Sequence, residues 1–155
     1  MLAAPAMSTP NASQSAASEP SLATVRALVR AYQAFSSYSE TFVRQYDLTS
    51  AQFDVVATLG NTQGMSMGDI GEKTLITKGT LTGVVDRLER KGLVTRETPP
   101  ENRRSVIVQL TAAGQQLFEQ VFPAHIKDIK QHLEPLDPSE TELLRVLLNR
   151  IQTLF

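Results

Sequence analysis

From Ser21 onward, apolar residues recur at three- and four-residue steps. Val25, Leu28, Val29, Tyr32, Phe35, Phe42, Val43 and Tyr46 define one stripe on a long helix over 21–46, of about seven turns. Thr49 and Gln52 have capping-box spacing and restart the chain as a second helix. In that helix Phe53, Val56 and Leu59 face the core, and Gly60 is read as its stop. Ser66–Asp69 offers a third start, with Ile70 as the buried residue of a short helix. A turn near Thr74–Thr77 leads to a fourth, carrying Leu81, Val84, Val85 and Leu88 on one face and ending at Gly92.

The period then changes from helical to alternating. LVTRE and SVIVQL are rich in β-branched residues and flank Thr98-Pro99-Pro100-Glu101-Asn102, which predicts a β-hairpin with a stiff loop. These are the only two strands the pattern predicts. Thr111 caps the next helix, which carries Leu117, Phe118, Val121, Ile126, Ile129 and Leu133 and should kink at Pro123. Asp137-Pro138-Ser139-Glu140 places a cap, a proline at N1 and an acid at N3 before a last helix. That helix is lined by Leu143, Leu144, Leu147, Leu148, Ile151 and Leu154.

Composition narrows what such a chain can do. Its 155 residues suit one domain of ordinary size, and 41 % hydrophobic content allows a packed core. The absence of cysteine excludes thiol catalysis, disulfides and cysteine zinc sites, and fits a reducing, cytoplasmic setting. No apolar run reaches the roughly 18 residues of a membrane span, so no membrane partner is expected. Residues 1–20, rich in Ala, Ser and Pro with Glu19 as the single charge, read as a disordered tail. Residues 21–155 read as a single domain. No nucleophile–base set, phosphate loop or metal-ligand spacing stands out, so an enzyme, a metal and a bound cofactor are not expected.

Three helices followed by a hairpin, framed by longer helices, describe a mainly α winged helix-turn-helix with its core at about 48–111. In that arrangement the fourth helix enters the major groove of duplex DNA. Its first turns, Thr77-Lys78-Gly79-Thr80-Leu81-Thr82-Gly83, are small, hydroxylated and cationic, and Arg87 follows. The net charge of −1 rules out a general polycation, but between residues 77 and 104 seven basic residues face four acidic ones, a local +3. Arg96 lies on one strand, and Arg103 and Arg104 lie beside the hairpin tip, where arginine suits a minor groove. Two plainer readings stay open. Arg87, Arg90 and Lys91 would also suit a solvated face paired with Asp86 and Glu89, and Arg103–Arg104 an edge strand protected from aggregation.

The runs LTSAQFDVVATL and DIGEKTLITKGTLTGVVDRLERKGLVTRETPPENRRSVIVQLTAAG closely resemble the MarR family of bacterial regulators, over roughly residues 22–154. The resemblance implies a ligand-responsive repressor that binds palindromic operators as a homodimer and answers small aromatic or phenolic effectors. It implies recognition-helix contacts at Thr77, Lys78, Gly79, Thr80, Thr82 and Arg87, and wing contacts at Arg103 and Arg104. One departure stands out: the family's wing aspartate is replaced here by Asn102, preceded by Glu101.

The apolar faces of 21–46 and 112–155 exceed what a small winged core covers, so these helices are expected to dimerise; an intramolecular bundle is the alternative. Tyr32, Ser36, Ser39 and Phe53 are candidates for a ligand pocket, although small hydroxylated residues also serve close helix packing. His125 and His132 are the only histidines and sit two turns apart, too far to chelate one metal by themselves. A winged-helix protein-interaction module without DNA function is the rival reading.

Overall fold

The computed structural model describes residues 11–74, 76–100 and 105–155. The chain divides into two compact units, Met1–Thr41 and Phe42–Phe155.

The first unit contains a short helix, α1 (Ala12–Ala17), and most of α2 (Pro20–Arg44). Asn11 caps α1: the Gln14 amide donates to Asn11 Oδ1 at 2.9 Å, and the Asn11 amide donates to Gln14 Oε1 at 2.9 Å. This helix occupies part of the stretch expected to be a tail. Asn11 and Gln14 have the capping-box spacing that marks helix starts elsewhere in the chain. On α2, Val25, Val29, Tyr32 and Phe35 remain between 45 and 60 % exposed. The stripe read from the sequence therefore exists, but much of it faces outward.

In the second unit α3 (Ser50–Leu59), α4 (Met67–Lys73) and α5 (Lys78–Arg90) surround a core of Val55, Leu59, Ile70, Leu81, Val85 and Leu88, each at most 1 % exposed. The caps act as their spacing predicts. The Gln52 amide donates to Thr49 Oγ1 at 3.2 Å and the Thr49 amide to Gln52 Oε1 at 3.0 Å. Ser66 accepts from the Asp69 amide at 3.1 Å. Three antiparallel strands follow the order β1-β3-β2. The hairpin of β2 (Val94–Glu97) and β3 (Ile107–Leu110) pairs Val94 with Leu110 and Arg96 with Val108. The third strand, β1 (Met65–Ser66), was not expected. It pairs Met65 with Val108 and Ser66 with Ile107, and at two residues it is too short to show alternation.

Gly60 ends α3 for a different reason from the one its position suggests. Its backbone (φ −56°, ψ 140°) is not left-handed. A Cβ there would sit 2.3 Å from the Phe118 ring, so glycine is required by the approach of α6 (Ala112–Leu133). Pro123 lies inside α6, which runs past it to Leu133 as one helix. Its N-terminus is held by Thr111, whose Oγ1 accepts from the Gly114 amide at 3.0 Å and donates to the Gly92 carbonyl at 2.6 Å. The Thr111 amide donates to the Leu93 carbonyl at 3.0 Å, and a Cβ on Gly114 would lie 2.0 Å from that same oxygen. The turn that follows α5 and the start of α6 are thus in close contact through backbone. Finally α7 (Pro138–Gln152) begins at Asp137, which accepts from the Ser139 and Glu140 amides. Leu143, Leu144, Leu147 and Leu148 remain 43–59 % exposed on it.

His125 is buried on α6, stacked on Phe42 at 4.7 Å between ring centroids and edge-on to Phe53 at 5.1 Å. Desolvation lowers its pKa from the ordinary 6.5, against a raising contribution from Asp128. The folded protein therefore takes up a proton less readily than the unfolded chain. The stabilising difference is complete above about pH 6.5 and is lost as the pH falls below it, toward the folded-state pKa. We expect the melting temperature to drop between pH 7 and pH 5.5, and the drop to shrink in His125→Phe. A wild-type profile that is flat across this range would contradict the assignment.

Candidate nucleic-acid interface

Helix α5 has two distinct faces. Leu81, Val84, Val85 and Leu88 turn inward and are at most 1 % exposed. Thr77, Lys78, Gly79, Thr80, Thr82 and Arg87 are all exposed. The 3.6-residue period puts them on the side away from the core, with the first four forming the helix start.

Details of that start suit a polyanion. Thr77 is the N-cap residue, yet its side chain makes no capping hydrogen bond; its hydroxyl donates to Thr80 Oγ1 at 3.1 Å. The helix N-terminus carries the positive end of the peptide dipoles, and its exposed first-turn amides favour a phosphate oxygen. A Cβ at Gly79 would meet nothing within 4 Å, so packing does not require glycine there. What its small size does allow is close approach of another molecule. Further along, the Arg87 guanidinium lies over Gly83, with Nη1 3.6 Å from where a Cβ of Gly83 would be.

Arg96, expected to touch DNA, is engaged elsewhere. Its Nη2 donates to Asp86 Oδ1 at 2.5 Å and its Nη1 to Glu89 Oε2 at 2.6 Å. Both partners lie on α5, so Arg96 ties the hairpin to that helix. The pairing was hidden because the residues lie 7 and 10 positions apart across the turn into β2. It also bears on the plainer reading of the α5 charges: Asp86 and Glu89 take Arg96 as their ion-pair partner, while Lys91 pairs with Asp47 at 2.9 Å. Lys78 and Arg87 remain exposed cations on the outer face of α5. Arg103 and Arg104, with Glu101 and Asn102, lie outside the described residues.

The pocket candidates fall in both units: Tyr32, Ser36 and Ser39 on α2 in the first, Phe53 on α3 in the second. Ser36, Ser39 and Phe53 are half-buried, and Tyr32 is 60 % exposed. His132 is exposed, with Nδ1 2.9 Å from the Asp128 carbonyl oxygen. Among the described residues no three His, Asp or Glu side chains gather in a metal-binding group. No helix among them is long and apolar enough to cross a membrane.

A helix presented beside a β-hairpin, on a three-helix core, defines a winged helix-turn-helix protein. Residues 48–106 match the model of the MarR family. The transcriptional regulator MhqR of Bacillus subtilis is 31 % identical over 133 residues, which cover 86 % of this chain and 92 % of that protein. This chain belongs to the MarR family. Among solved structures, one describing regulation of DNA binding of Bordetella bronchiseptica BpsR by 6-hydroxynicotinic acid is 29 % identical with a TM-score of 0.74. It covers 83 % of this chain and 98 % of its own. A mutant of MarR from E. coli, in complex with operator DNA, is 28 % identical with a TM-score of 0.74, covering 81 % of this chain and 91 % of its own.

Proposed function

We propose that this protein is a cytoplasmic, sequence-specific DNA-binding transcriptional regulator that acts as a homodimer on palindromic operators, as a repressor released by a small aromatic or phenolic effector. The observation that carries this reading is α5. Its inner face is fully buried, and its outer face offers Thr77, Lys78, Gly79, Thr80, Thr82 and Arg87 beside a braced hairpin. A solved relative bound to operator DNA supports the same use of the fold.

Dimerisation is supported by the outward apolar residues of α2 and α7, which a second copy would cover. Two-fold pairing presents two recognition helices, and half-sites one turn of DNA apart (about 34 Å) then match the protein's symmetry. Control of BpsR by 6-hydroxynicotinic acid supports an effector of that class. An effector that favours a dimer with another helix spacing lowers the population able to span both half-sites.

The test is fluorescence anisotropy on the chain's own upstream region at two salt concentrations, with unrelated duplex as competitor. Preference for the upstream fragment and a steep loss of affinity with salt are expected. Arg103→Ala/Arg104→Ala should weaken binding at least about tenfold, since arginines at a wing contribute through phosphates or the minor groove. Unchanged affinity would reject the wing assignment. Arg96→Ala should act differently. Losing the brace lowers affinity for the specific site but leaves the salt slope unaltered, because no phosphate contact is lost. A reduced slope would show that Arg96 meets the backbone of DNA itself.

A further inference from the structure

We propose that Arg87 is the residue through which α5 reads sequence, by donating to O6 and N7 of one guanine in each half-site. The inference rests on the DNA-binding reading of α5 and goes beyond it by naming the base pair. Leu81, Val84, Val85 and Leu88 fix the inward side of the helix. A step of about 100° per residue then places Gly79 and Gly83 within roughly 30° of the line facing directly away from the core, and Arg87 about 70° to one side of it. The Arg87 side chain does not stay on that flank. Its Nη1 lies 3.6 Å from where a Cβ of Gly83 would be, so the guanidinium crosses toward the outward line one turn back along the helix. With no side chain at Gly83 in its way, it rests low against the helix, which leaves the axis able to come near the groove floor.

The other polar residues of this segment fit the role less well, by their type or by their partners. Bidentate recognition of adenine needs Asn or Gln, and the stretch 77–91 has neither. Cytosine is read by a carboxylate, but Asp86 and Glu89 are held by Arg96 at 2.5 and 2.6 Å. Lys91 is paired with Asp47. Arg90, the last residue of the helix, turns its Nε back to the Asp86 carbonyl at 3.4 Å. Lys78 brings a point charge without a planar fork, which suits a phosphate at the first turn. Thr80 already accepts from the Thr77 hydroxyl, and a single hydroxyl serves donor and acceptor edges alike. Arg87 is exposed, and among the described residues no carboxylate pairs with it. Its fork of parallel donors matches the two acceptors that guanine presents in the major groove.

The experiment selects bound duplexes from a random pool with the full-length protein. It then measures anisotropy on the selected site and on copies with one G·C pair replaced. Wild-type protein should enrich a guanine at one position of each half-site and discriminate against its replacement by about tenfold or more. Arg87→Lys keeps the charge but not the fork, so it should bind every variant at that position alike, with the salt slope unchanged. Lys78→Ala should do the reverse, keeping the guanine preference while lowering the slope by about 0.9. A merely structural or phosphate role would leave the guanine preference intact in Arg87→Lys, and that result overturns the inference. So does a wild-type consensus without a guanine common to both half-sites. Failure of the DNA reading looks different: the wild-type protein would then enrich no sequence at all, and the inference would fall with it.

Discussion

Replacing Lys78 and Arg87 together with alanine is expected to reduce affinity for operator DNA by about a hundredfold or more, with little change in melting temperature. Both side chains are exposed on the outer face of α5, so their removal leaves the packed face intact. Each phosphate contact releases about 0.9 of a counterion, so losing two would flatten the slope of log K against log salt by about 1.8. A contact to a base edge would instead relax sequence preference at one position and leave the slope alone. The variant therefore reports how each residue is used. Full affinity with an unchanged slope would remove α5 from the interface and favour the protein-interaction reading of the fold.

The second large effect concerns stability. Gly114→Ala should cost about 3 kcal/mol, because its Cβ would lie 2.0 Å from the Leu93 carbonyl oxygen. That neighbour is backbone, held by the Thr111 amide at 3.0 Å, so no flexible side chain can move aside. For a domain of this size the melting temperature should fall by roughly 10 °C. An unperturbed melting curve would mean that the α5–α6 junction is looser than its geometry indicates.

Much of this molecule was legible in its sequence, for physical reasons that differ from element to element. Caps are local, so Thr49 with Gln52, Thr111, and Asp137 with Pro138 and Glu140 announced their helices through spacing alone. The buried face of α5 followed from its period. What escaped was set by partners distant in the chain. Gly60 looked like a helix stop, but its requirement comes from Phe118, 58 positions later. Lys91 was counted with the positive patch, but its partner Asp47 lies 44 residues back. Arg96 was likewise counted as a charge, while its partners Asp86 and Glu89 lie on the preceding helix. The short strand β1 exists only because β3 offers it an edge. For the effector candidates, Ser36 and Ser39 fit close packing and ligand lining equally well, since a small hydroxylated side chain serves both.

The junction of α5 with α6 has one more implication. Gly92 and Leu93 pass their carbonyl oxygens directly to Thr111, and Gly114 leaves no gap for a side chain. Displacement of the first turn of α6 is therefore passed to the Gly92–Leu93 turn that follows α5, much as meshed teeth transmit a turn. Exchange of the Thr111 amide proton would register any disengagement of that gear.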